Sequence, residues 1–175
     1  EVLTRGRTSL STESFMMLRE QCRDDVDTET RLEATRALGN ATLSPEQLDE
    51  VLEFLPETGP LELPVILNAF SDVWQTDSAR EYGLRLIETL NSARGFPSLS
   101  ETQLTQLFEA APMDVRAASQ SLLSRLVKEQ ETSIRTVLNT SFNLVGGDVA
   151  HGKEIFFSKK ALCSSCHQVD DEGKP

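Results

Sequence analysis

Cys163, Cys166 and His167 stand together in the string Cys163-Ser164-Ser165-Cys166-His167. Two thiols separated by two residues can each add to one vinyl group of a haem, and the imidazole that follows then reaches the iron. This C-x-x-C-H spacing is the one through which haem c is attached, and iron held by a proximal histidine is a redox or ligand-binding centre rather than a structural clip. The spacing has two competing readings. A structural zinc ion wants four nitrogen or sulfur ligands in a tetrahedron; His151 is the only other histidine, and the adjacent Cys166 and His167 make poor joint ligands for one such ion. A thioredoxin-like redox pair expects a strand-helix context, which the flanking sequence lacks.

Little else in the chain suggests chemistry. The third cysteine, Cys22, falls on the apolar side of a helical pattern with Phe15 and Leu18 and reads as a buried, inert thiol. There is no phosphate-binding Gly-rich loop, no G-x-S-x-G and no H-E-x-x-H. Trp74 and Tyr82 are the only Trp and Tyr, too few for a platform on which bases or sugars stack. The acidic residues are scattered over helix faces, where solvated surface is the default. His151 reads as an exposed helix residue.

The elements that would position the cysteine string are helical. Phe15, Leu18 and Cys22 recur at helical spacing, as do Leu48, Val51, Leu52 and Leu55. The same stripe returns in Gly83, Leu86, Ile87 and Leu90, in Leu104, Leu107, Phe108 and Ala111, and in Val115, Ala118, Leu122 and Leu126. Each marks one apolar face of an amphipathic helix. Ser44-Pro45-Glu46-Gln47 supplies a capping serine, a proline at the first helical position and a reciprocal glutamine, and Ser100 with Gln103 is a second capping box. Pro56, Gly59-Pro60, Gly95-Phe96-Pro97 and Pro112 mark breaks. Residues 1 to about 143 therefore predict successive short helices, with Asn91 to Ser100 as an inserted loop.

The fold class expected is all-α. Thr30-Arg31-Leu32-Glu33-Ala34 is loosely echoed by Val115-Arg116-Ala117-Ala118-Ser119, and Ala37-Leu38-Gly39-Asn40 by Ala69-Phe70-Ser71-Asp72. A two-helix unit of this length is in the range of HEAT-type repeats, which favours an α-solenoid over an irregular bundle. After residue 143 the character changes: Val145-Gly146-Gly147-Asp148 is a breaker and a cap, followed by a helix from about Val149 to Phe157. Residues 1–145 hold 23 acidic and 13 basic side chains, and residues 146–175 hold five and four. The expected organisation is a helical repeat domain over 1–145 and a second domain starting at 146.

The net charge is −11. It argues against nucleic acid, which is bound by clustered Lys and Arg, and against an anionic membrane surface. No apolar run is long enough to span a membrane. Glu1-Val2-Leu3-Thr4-Arg5-Gly6-Arg7 is not a signal peptide, so the chain is expected to be an internal piece of something longer.

Gly147-Asp148-Val149-Ala150-His151-Gly152-Lys153-Glu154-Ile155-Phe156, then six residues, then the C-x-x-C-H string, resembles the opening of a class I cytochrome c domain. The resemblance covers residues 146–175. It implies that Cys163 and Cys166 carry the haem c thioethers and that His167 is the axial iron ligand. Gly152 would be the small residue where the first helix crosses the last, and Phe156 the aromatic beside it. The distal ligand in that family is usually a methionine well downstream; Met16, Met17 and Met113 precede the motif and read as helix residues. About 30 residues are too few to wrap a haem, so the segment is expected to be the incomplete start of such a domain. On a wider scale, helical repeats leading into this string resemble large exported bacterial proteins of a membrane-bound dehydrogenase type. In those, a β-propeller precedes HEAT-like repeats and a terminal haem-binding domain.

The function these resemblances imply is electron transfer through haem c in a periplasmic or otherwise exported multidomain oxidoreductase. Its partners would be electron donor and acceptor proteins or domains. The helical repeats would serve as scaffold, with no catalysis by this chain alone. The alternative is a protein-interaction α-solenoid with no redox role of its own, since solenoids offer concave binding faces.

Overall fold

A computed structural model describes residues 7–141, 146–158, 161, 163–165, 167–169 and 172–173. The described chain is mostly helical, as the apolar stripes require, with strands of only two residues each. In order, the helices are α1 (Thr12–Gln21), α2 (Thr28–Gly39), α3 (Pro45–Phe54), α4 (Leu63–Ile66), α5 (Ala79–Ser92), α6 (Glu101–Phe108), α7 (Met113–Ser141) and α8 (Val149–Phe156). Strand β1 (Thr8–Ser9) pairs in parallel with β2 (Ala41–Thr42), and β3 (Gln168–Val169) pairs antiparallel with β4 (Glu172–Gly173). The chain divides into two compact units, Glu1–Glu131 and Thr132–Pro175. The division lies inside α7, upstream of the Gly146-Gly147 break.

Caps set the helix starts. The Ser11 hydroxyl accepts the Ser14 N–H, and the Asp27 carboxylate accepts the Thr30 N–H at 3.0 Å. Ser44 with Gln47 and Ser100 with Gln103 form complete capping boxes at α3 and α6. Each satisfies two otherwise orphaned backbone donors. The first unit has one continuous apolar core, to which every predicted stripe contributes. Phe15, Val51, Leu86, Leu104, Val115 and Leu122 are all buried there. Gly83 lets α5 and α7 approach closely: a Cβ at this position would lie 2.5 Å from Val115 Cγ1.

Three parts depart from the succession of short helices. Between α3 and α5 the backbone makes mainly 3-10 turns, at Leu55–Glu57, Leu67–Phe70 and Val73–Gln75, around the four-residue α4. Pro56, Pro60 and Pro64 lack the N–H that a continuous α-helix needs. Downstream, α7 runs for 29 residues, because no Gly or Pro interrupts Met113–Ser141. It is buried on one face as far as Leu126, whereas Glu131 to Thr140 are exposed throughout.

The third departure is Asn91–Ser100, which does connect α5 to α6, with a 3-10 turn at Phe96–Ser98, but packs into the core instead of standing out as an insertion. α5 continues to Ser92, and Phe96 and Leu99 are buried in the core. The Arg94 and Gly95 N–H groups donate to Pro56 O at 2.9 Å and Thr58 O at 3.0 Å. Gly95 lies so close to Gly59 that a Cβ on it would sit 2.6 Å from the Gly59 carbonyl oxygen. The Arg125 guanidinium stacks 3.9 Å from the Phe96 ring centroid and donates to Asn91 O, closing the C-terminal end of α5.

Candidate haem-attachment site

Helix α8 leads into the cysteine string. Its start is fixed by Asp148, whose carboxylate accepts the His151 N–H at 3.0 Å. Just before it, Gly146 has φ +110°, a left-handed conformation that glycine adopts without the steric penalty of a side chain. The helix ends within a residue of the predicted boundary. The Phe156 and Phe157 rings meet edge to face at 5.0 Å. Beyond α8, the Ser158 hydroxyl donates to Ile155 O at 2.8 Å and accepts the Ala161 N–H at 3.1 Å. One side chain thereby bonds both the end of the helix and Ala161, two residues before the first cysteine.

Cys163–Ser165 forms a 3-10 turn. Cys163 is half-buried, with its Sγ 3.7 Å from Ala161 O. The His167 N–H donates to Cys163 O at 2.9 Å, which joins the first and last residues of the string. His167 is exposed. β3 and β4 follow directly, with Gln168 opposite Gly173 and Val169 opposite Glu172, and β4 lies against the cysteine turn. Cys166 lies outside the described residues. Of the string's chemical groups, the Cys163 thiol is half-buried and the His167 imidazole exposed. Among the described residues, no group of three or more His, Cys, Asp and Glu side chains is gathered as a metal site.

The other residues considered from the sequence are placed as follows. His151 is an exposed helix residue, 3.7 Å from Glu154 Oε2. Met16, Met17 and Met113 are exposed residues of α1 and α7. Gly152 has no described atom within 4 Å of where a Cβ would stand. No described helix is long and apolar enough to cross a membrane.

One polar site was not visible in the sequence. Glu62, expected among solvated acids, is buried, and its Oε1 accepts Arg31 Nε at 2.7 Å. The pair borders a cleft of about 580 Å³ that Cys22 also lines. Burial pushes the Cys22 thiol up, against a smaller opposing effect from the Thr35 hydroxyl 3.6 Å away, which keeps it a poor nucleophile at neutral pH. At the cleft's edge Asp24 accepts two hydrogen bonds from Arg94, at 2.8 and 2.9 Å, which hold its carboxyl below the usual range. A lone Glu among many in an acidic chain carries no periodic signal of burial; only the partner Arg31, 31 positions away, accounts for it.

Compared with protein-family models, with curated proteins and with solved structures, the chain has no match.

Proposed function

We propose that the chain is the helical scaffold and the opening of a haem-binding domain in an exported electron-transfer protein. The observation that carries this reading is the C-x-x-C-H string set behind an Asp148-capped helix, with its first and last residues joined by the His167 N–H to Cys163 O bond. The roles follow from the residue types. Cys163 and Cys166 would hold the group through thioethers, and His167 would offer an imidazole nitrogen to the iron. When bound, haem c supplies one-electron chemistry at iron, with its potential set by axial ligand, hydrogen bonding and burial. The half-buried Cys163 and the bond its carbonyl accepts from the His167 N–H would fix one edge of the macrocycle, and the repeats of the first unit would act as the support, not the redox centre.

Export of this chain within a longer protein that extends past Pro175, in a host that also expresses cytochrome maturation machinery, tests this. The expected result is a haem stain that survives denaturation and is lost when Cys163→Ala and Cys166→Ala are combined. No covalent haem in the exported protein, or stoichiometric zinc with no Soret band, would sink the reading.

A further inference from the structure

Arg7 reaches across the first unit and places its guanidinium among five acceptors. Nε donates to Asn40 O at 3.4 Å. One terminal nitrogen, Nη1, donates to Ser71 Oγ and, at 3.2 Å, to Asp72 Oδ2. The other, Nη2, donates to Gly39 O and, at 2.9 Å, to Asn68 O. A guanidinium has five N–H donors in a fixed planar fork. The ring thus supplies five acceptors, two to each terminal nitrogen and one to Nε.

Its construction explains the fit. Gly39 and Asn40 close α2, where unpaired carbonyls and the helix dipole place negative potential. Asn68, Ser71 and Asp72 close the 3-10 turn that follows α4. The two ends come together because Gly39 has no side chain: a Cβ there would lie 2.4 Å from Val65 O. These are the two segments whose sequences echo each other, Ala37–Asn40 and Ala69–Asp72. Each ends a helical turn and offers its acceptors to the same cation. The parallel pairing of Thr8 with Ala41 and Ser9 with Thr42 continues directly from Arg7.

We propose that this ring is a guanidinium-recognition site, filled in cis by Arg7, and that vacating it turns the protein into a receptor for small guanidinium compounds. An ammonium ion, a compact charge with three donors, cannot match five acceptors. The site therefore discriminates by geometry, not by charge alone.

Methylguanidinium and methylammonium chloride, titrated separately at matched ionic strength into the full chain and its Arg7→Ala variant, distinguish these ideas. Arg7→Ala should melt several degrees lower, about 4 °C for a unit of this size. Methylguanidinium should then restore part of the loss and shift the Asn40, Ser71 and Asp72 amide resonances saturably; methylammonium should do neither, and the parent chain should respond to neither. Equal effects of the two cations, or an unchanged melting temperature in Arg7→Ala, would overturn the proposal. Should Arg7→Ala fail to fold, the parent chain still decides. A site that holds Arg7 by all three nitrogens gives resolved, slowly exchanging Nε and Nη signals, whereas averaged signals like those of a freely rotating arginine refute it.

Discussion

Tyr82 is the chain's single tyrosine, so its phenol can be titrated alone by absorbance. Its hydroxyl donates to Pro45 O at 3.0 Å, and the ring is buried against the first unit's core. Burial first, and the neighbouring Asp49 carboxylate second, push its ionisation up to about 12. An unfolded tyrosine ionises near 10. Since the folded value is the higher one, the folded state favours the neutral phenol. Tyr82 therefore contributes stability that is whole below about pH 10 and is lost as pH rises towards about 12. Phenolate absorbance should rise about two units later in native than in denatured protein, by the same reference value; coincident titrations would contradict the burial described. Arg31 and Glu62 make the opposite point about charge. A buried ion pair is weak support for net stability, but losing one partner leaves an uncompensated charge, so the two side chains constrain how α2 meets the segment before α4.

Two glycines inside helices show how element packing decides a substitution that helix propensity would call favourable. Ala exceeds Gly by about 1 kcal/mol in a helix interior. At Gly83 the added methyl would lie 2.5 Å from Cγ1 of Val115, itself fully buried and stiff because it is β-branched. Gly83→Ala is expected to destabilise by about 1–3 kcal/mol, the usual range for overpacking. Gly152 faces no described atom within 4 Å, and Gly152→Ala is expected to stabilise by up to about 1 kcal/mol. Thermal melts of both variants check the contrast. A loss at Gly152 would reveal a neighbour pressed onto that face, the packing expected under the proposed haem-domain reading. Helix starts were legible because caps are local: Ser44, Ser100 and Asp148 bond groups within three residues. The 3-10 turns between α3 and α5 were not, because Leu63, Ile66, Phe70 and Val73 are apolar at spacings that suit either a helix or a tighter turn. The length of α7 could be read from the lack of Gly and Pro, but its exposed second half could not, since Ile134, Val137 and Leu138 continue an apolar pattern and are nonetheless exposed.

At the scale of the molecule, the cysteine string is legible in one respect and illegible in another. The identity and spacing of Cys163, Cys166 and His167 are what the proposed haem attachment rests on, whereas the Ser158 bridge and the His167 N–H to Cys163 O bond depend on backbone geometry that no spacing encodes. The first unit shows the reverse: its ring of acceptors for Arg7 and its Arg31–Glu62 pair join residues far apart in the chain, and neither is a motif. The contact between Gly59 and Gly95 also joins distant parts of the chain, and its consequence is kinetic. The Arg94 and Gly95 amides belong to no regular helix or strand, yet they bond to Pro56 and Thr58 over buried Phe96 and Leu99. Both amides are hydrogen-bonded across the segments carrying α3 and α5, and Gly95 is buried, so they should exchange their hydrogens by sub-global opening rather than by local fraying. Native-state exchange is expected to show both amides as slow as those of Leu86 and Leu90 in α5, and exchange at the rate of an open loop would show that the clasp yields on its own. A stretch that looks like a connection in the sequence would then report the opening of the whole helical unit.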